Sequence, residues 1–104
     1  YPREVEEFLY TKPEVADVQV IGVPDLKYGE EIMAWVKLRA GTRLTADELR
    51  AFCKGKIATY KIPRYWKFVS EFPMTVSGKV QKYKMREQAI EELGLQAAAK
   101  VRTA

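Results

Sequence analysis

Two runs of strand-forming residues lie close together in the first half of this 104-residue chain. Val15 to Val23 is rich in Val and Ile and ends at Gly22-Val23-Pro24-Asp25, a turn signal. In the second run Ile32, Ala34, Val36 and Leu38 alternate with Met33, Trp35, Lys37 and Arg39, a period of two with one clean apolar face. The polar segment Pro24 to Glu30 joins them, and Ala40-Gly41-Thr42 closes the second as a turn. Two adjoining strands with an apolar face require a cover, so the rest of the chain must supply helices to bury it.

Those helices are legible. Pro2 suits a first helical position, Glu4, Glu6 and Glu7 complement the positive end of the dipole, and Val5, Phe8 and Leu9 share one face before Pro13 stops the run. Thr45-Ala46-Asp47-Glu48 matches a capping box. Leu49, Phe52, Cys53 and Ile57 continue from it as an apolar stripe, which predicts a helix over Thr45 to Ala58 ended by Ile62-Pro63. Arg64 to Val69 reads as a third strand, with Tyr65, Lys67 and Val69 on one face and Trp66 and Phe68, expected in the core, on the other. A loop from Glu71 to Gly78 follows. A last helix begins near Lys82, turns Met85, Ala89, Ile90 and Leu93 inward and stops at Gly94. The expected fold is α+β: a small, mainly antiparallel three-stranded sheet covered by helices, over residues 1–94, with 95–104 a frayed tail.

The length suffices for one core. No charge-free run exceeds about seven residues, far short of the ~20 of a membrane-spanning helix, and Tyr1-Pro2-Arg3-Glu4 carries no signal-peptide pattern. A lone Cys53 cannot form an internal disulfide, which fits a reducing cytosol, so a cytoplasmic location is expected. On the helical stripe Cys53 reads as a small core residue; a nucleophilic thiol needs an activating base, and the chain has no His. With no His and one Cys the common zinc ligand sets are absent too, so no metal ligands are expected.

Charge is unevenly distributed along the chain. From Lys54 to Arg86 there are nine basic residues (Lys54, Lys56, Lys61, Arg64, Lys67, Lys79, Lys82, Lys84 and Arg86) against one acidic, Glu71, a net of +8. The remainder carries −4, giving +4 for the whole. Such segregation predicts a basic face around Lys54 and Lys79 that meets an anion such as a phosphate or nucleotide, or a nucleic acid; a solvated face without a ligand is the plain alternative.

The most informative stretch is Phe72-Pro73-Met74-Thr75-Val76-Ser77-Gly78-Lys79-Val80-Gln81-Lys82. It places Lys79 at the end of a polar loop beside Gly78, whose missing side chain allows a tight turn and close approach to a ligand. It is not a phosphate-cradling P-loop: Val80 follows the lysine where Ser or Thr is needed, and Pro73 stands where the first Gly belongs.

From Tyr1 to about Leu95 the chain resembles the C-terminal domain of the adenylate-forming enzymes, the superfamily of acyl-CoA synthetases, peptide-synthetase adenylation domains and firefly-type luciferases. Four ordered blocks carry the likeness: Tyr1-Pro2-Arg3-Glu4-Val5-Glu6; Val20-Ile21-Gly22-Val23-Pro24-Asp25 with Tyr28-Gly29-Glu30; Tyr60-Lys61-Ile62-Pro63; and Pro73-Met74-Thr75-Val76-Ser77-Gly78-Lys79. Phe72 to Lys84 and Arg86-Glu87-Gln88-Ala89-Ile90 look most like medium-chain or fatty acyl-CoA synthetases.

The resemblance implies a two-step ligase. A carboxylate attacks the α-phosphate of ATP to give an acyl-adenylate and pyrophosphate, and the thiol of CoA then displaces AMP. Lys79 matches the family's catalytic lysine of the first step, with Ser77 and Gly78 in its loop. Negative charge gathers around the α-phosphate during transfer, and a positioned ammonium on a flexible stem stabilises it. The second step needs that lysine to leave, which the family achieves by rotating this small domain. Lys54 matches a basic position that meets the phosphates of CoA. Lys61 and Arg64 either dock the domain on the larger one or meet phosphate. Tyr28 stands where some relatives carry Arg and Ile62 where some carry Tyr, two departures among the nucleotide contacts. ATP, CoA and Mg would be bound mainly through a large N-terminal domain that this sequence does not contain, joined by a hinge before Tyr1. The isolated chain is therefore expected to be inactive. The Pro73 to Lys79 spacing also fits a pattern recognised by protein acetyltransferases, with a deacetylase as counterpart, and acetylation would remove the charge of Lys79.

Two alternatives are kept beside this reading. An aryl-CoA ligase or a peptide-synthetase adenylation domain would share the same C-terminal pattern. A basic nucleic-acid-binding module would use Tyr60, Tyr65, Trp66, Phe68 and Tyr83 to stack bases, although the paired aromatic motifs of an RNA-recognition sheet are absent, so no nucleic acid partner is expected.

Overall fold

In the computed structural model, residues 2–98 are described, and the elements follow the order expected of them: α1 (Pro2–Leu9), β1 (Val15–Asp25), β2 (Gly29–Leu38), α2 (Ala46–Cys53), a single 3-10 turn (Thr59–Lys61), β3 (Tyr65–Phe68) and α3 (Lys82–Glu92). β1 and β2 form an antiparallel hairpin from Val15↔Leu38 to Asp25↔Gly29, with a register shift between Val15 and Asp17. The turn is tighter than expected, because the strands pair through Pro24 and Glu30 and leave only Leu26 to Tyr28 as the loop. β3 adds to the other side of β2 in parallel, from Met33↔Tyr65 to Val36↔Phe68. A parallel neighbour requires a crossover, and the segment containing α2 supplies it. The sheet order is β1-β2-β3, mixed but with antiparallel pairing the longer part.

β2 is central, and that changes the expected single apolar face. Met33, Ala34, Trp35 and Val36 are all buried. Ala34 and Val36, with Val18 and Val20 of β1, pack against Val5 and Leu9 of α1 and Leu49 and Cys53 of α2. Met33 and Trp35, with Ile21 and Val23 of β1, pack against Phe72 and against Met85 and Ala89 of α3. The molecule thus has three layers with a core on each side of the sheet. On the second side the Trp35 indole N–H donates to the Met33 sulfur at 3.3 Å, and the Lys67 ammonium sits 4.6 Å from the Trp35 ring.

Three local expectations are corrected. α2 starts as read, with the Glu48 N–H donating to Thr45 Oγ1 at 3.1 Å and the Thr45 N–H to Glu48 Oε1 at 3.0 Å, but it ends at Cys53 rather than Ala58. Lys54 is its C-cap in an extended conformation (φ −60°, ψ 125°), and Gly55 follows at φ +80°, a backbone state that favours glycine and cannot continue a helix. Ile57 still reaches the first core, from the turn after α2. Phe68, expected in the core, is exposed at the end of the edge strand, while its face-mate Trp66 does pack against the first core. The expected tail differs in its first part, since Leu95 packs against the second core and Ala98 is buried; Tyr1 and residues 99–104 lie outside the described residues.

Candidate functional site

Lys79 stands on a small hairpin between β3 and α3. Met74 bridges Val80 antiparallel, and the Gln81 N–H donates to the Pro73 carbonyl at 2.8 Å, which sets the base. Phe72 on one arm is buried in the second core and Val80 on the other packs against it, so both arms are anchored under the sheet. The tip is closed by Gly78 N–H to Thr75 carbonyl at 3.0 Å, with Gly78 at φ +87°, the glycine-favoured state in which a short hairpin loop turns back into its strand. Met74 and Val76 are exposed on this tip, Val76 completely.

The backbone of Lys79 is fixed from both sides by one residue. The Thr75 N–H donates to the Lys79 carbonyl at 2.8 Å, and the Lys79 N–H donates to Thr75 Oγ1 at 3.0 Å. Thr75 Oγ1 and Ser77 Oγ are also 3.0 Å apart. The side chain of Lys79 is exposed, and among the described residues it has no ion-pair partner. The arrangement is a rigid backbone carrying a free ammonium on a flexible stem, suited to meeting an anion on another body.

Five of the other basic residues of the Lys54 to Arg86 stretch are paired with acids, whereas Lys54, Lys56 and Lys84, like Lys79, have no ion-pair partner among the described residues. Lys61 binds Glu4 at 2.8 Å, Lys67 binds Glu92 at 2.5 Å, Lys82 binds Glu6 at 2.8 Å, and Arg64 and Arg86 lie 3.9 and 3.5 Å from Glu31 and Glu30. All five acids come from outside that stretch. The hydrogen bond from Lys61 holds the Glu4 carboxyl below its usual range and is returned as an upward shift of Lys61. The +8 of the sequence is therefore partly neutralised in space, with Lys61, expected to dock or to meet phosphate, bound to Glu4, and Arg64, expected to do the same, exposed beside Glu31.

Nor do Lys54 and Lys79 form one face. Lys54 is exposed at the end of α2, which covers the first core, while the Lys79 hairpin is rooted in the second core on the opposite side of the sheet. Tyr28 and Ile62, the two departures, line a surface groove of about 560 Å³ with Glu30, Glu31, Ile32, Thr59 and Tyr60. Both sheet faces are covered, so Trp66 and Tyr65 are unavailable as base-stacking platforms, although Tyr60 and Tyr83 are exposed.

Cys53 is fully buried, and burial pushes its thiol up to about 11, the opposite of an activated nucleophile. Sequence reasoning missed the partner acids, above all Glu6, and the hydroxyl of Thr75. Nothing in spacing flags Glu6, whereas a Thr four residues before a turn lysine was a readable signal.

The AMP-binding enzyme C-terminal domain family matches residues 4–79, ending on Lys79 itself. The chain belongs to that family. YngI of Bacillus subtilis, which bears the name of an acyl-CoA synthetase, is 60% identical over 98 residues, covering 94% of this chain and 18% of its own length. The medium-chain acyl-CoA ligase ACSF2 of Bos taurus is 55% identical over 95 residues, 91% of this chain and 15% of the relative. Among solved structures, apo MatB from Rhodopseudomonas palustris superposes with a TM-score of 0.84 at 33% identity, over 88% of this chain and 18% of that one. The chain thus spans less than a fifth of the length of the relatives it matches.

Proposed function

We propose that this chain acts as the C-terminal domain of an ATP-dependent acyl-CoA synthetase that joins a fatty or medium-chain carboxylate to CoA, releasing AMP and pyrophosphate. The observation that carries the reading is the setting of Lys79. Its ammonium is exposed and unpaired among the described residues, on a hairpin backbone whose N–H and carbonyl at Lys79 are both bound by Thr75. Brought against a bound nucleotide, that ammonium meets the charge building on the α-phosphate as the carboxylate oxygen attacks and pyrophosphate departs. Ser77 and Gly78 shape the turn that presents it.

The separation of Lys54 from Lys79 supports a two-pose cycle. Elements rooted on opposite sides of the sheet cannot both face one set of phosphates in one docked orientation. Lys79 serves adenylation, the domain rotates, and the other side, with Lys54 toward the phosphates of CoA, serves thioester formation. Relatives at 50–60% identity are named as an acyl-CoA synthetase and medium-chain acyl-CoA ligases, which supports CoA as the acceptor and a medium-chain carboxylate as the substrate.

Mg would reach the reaction with ATP, bound mainly through the large domain. We place the protein in the cytosol. Lys79 is also the group a protein acetyltransferase would silence, because acetylation removes the ammonium and keeps the hairpin. The test is carboxylate-dependent exchange of labelled pyrophosphate into ATP, with octanoate as probe: the chain joined to its large domain should catalyse it and the isolated chain should not. Octanoate-independent exchange, or none in the joined protein with any fatty acid, would contradict the reading.

A further inference from the structure

We infer that Thr75 is a positioning residue for the adenylation step, acting through the backbone of Lys79. The inference rests on the proposed role of Lys79 and adds the group that fixes where its ammonium can go. Thr75 is the residue on which both backbone bonds of Lys79 converge: its N–H donates to the Lys79 carbonyl at 2.8 Å and its hydroxyl accepts the Lys79 N–H at 3.0 Å. Its own carbonyl takes the Gly78 N–H at 3.0 Å, and its hydroxyl lies 3.0 Å from that of Ser77.

The hairpin needs such a device. Phe72 and Val80 anchor its base in the second core, but at the tip Met74 is exposed and Val76 wholly so. A lysine stem has four rotatable carbons, so the reach of its ammonium is decided by where the backbone starts. With the hydroxyl gone, the Lys79 N–H loses its partner and turns to water, and the lysine samples starting points that are wrong for transfer. The side chain of Thr75 is separable from the hairpin's backbone pairing, because the bonds through its N–H and carbonyl do not involve Oγ1.

The experiment compares Thr75→Val, which keeps the β-branched shape without the hydroxyl, with Thr75→Ser, which keeps the hydroxyl, in the chain joined to its large domain. Each half-reaction is followed separately, adenylation from ATP and octanoate, and thioester formation from preformed octanoyl-adenylate and CoA. Thr75→Val should lower the adenylation rate about tenfold, the loss of one hydrogen bond of ordinary net strength, with the KM for ATP and the thioester rate unchanged. Thr75→Ser should restore most of it, and Thr75→Val should have no further effect once Lys79 is Ala. Equal loss in both half-reactions, or failure of Ser to restore, would overturn the inference. If Lys79→Ala abolishes adenylation while Thr75→Val spares it, the role of Thr75 falls and that of Lys79 stands. If Lys79→Ala spares adenylation, both fall.

Discussion

The Lys82 ammonium at the start of α3 lies 2.8 Å from Glu6 Oε2 on α1, and the two meet over the outer edge of β1. There each also binds the same backbone residue: Glu6 Oε2 accepts the Val20 N–H at 2.7 Å, and Lys82 donates to the Val20 carbonyl at 2.9 Å. Arg86 extends the pattern by donating to the Gly22 carbonyl at 2.6 Å. β1 is an edge strand whose outward N–H and C=O groups would otherwise template pairing with another chain. The acid and the two bases cover that edge and clip the helices of the two layers to it.

Removing one member leaves backbone groups and a part-buried carboxylate without their partner. Lys82→Met should cost roughly 1–2 kcal/mol by urea denaturation, a range that allows for the partial exposure of the pair. The variant should also associate more readily at high concentration, as read by light scattering. A double-mutant cycle with Glu6→Gln should show coupling, and strict additivity would mean that the pair does not act as a clip.

Cys53 offers a probe of opening. Folding favours its protonated form, so stability should hold up to the ordinary thiol range near 9.0 and fall as pH rises toward about 11, where the folded thiol itself ionises. At pH 8 alkylation by iodoacetamide should follow unfolding, slow in native buffer and fast in denaturant. Rapid labelling of the native protein would contradict the burial of α2 against the sheet.

At the acid end the sign reverses. Glu4 is held below its usual carboxylate range chiefly by its hydrogen bond from Lys61, so its contribution is complete above that range and is lost as pH falls through the lowered value. Glu4→Gln should lower stability near neutrality and flatten the acid limb, so that variant and wild type converge as pH falls through the lowered value. An identical acid limb in wild type and variant would show the bond to be broken in solution.

Element order and the edges of the sheet's apolar pattern were readable because they are local: proline and glycine punctuation, the capping box at Thr45 and the alternation in β2 each act over a few residues. The two-sided core was less so. Alternation in β2 separates Trp35 from Val36 but does not tell that Met33 and Trp35 find a layer of their own, since that layer is made by α3, some fifty residues on. The end of α2 was misread because Ile57 continues the helical stripe, and the positive φ of Gly55 overrode it. The basic stretch misled most: charge along a chain is not charge on a surface, and Glu4, Glu6, Glu30, Glu31 and Glu92 come from distant positions to neutralise it. The turn that presents Lys79 was legible because its setting, a short loop closing on Ser-Gly-Lys, is a local feature.

The account turns on Lys79 acting in one half-reaction only. The most direct measurement compares wild type and Lys79→Ala, in the chain joined to its large domain, for octanoyl-adenylate formation from ATP and for thioester formation from preformed octanoyl-adenylate. The predicted result is adenylation reduced by about a hundredfold or more with the thioester rate close to wild type. Equal loss in both steps, or adenylation at the wild-type rate, would contradict it.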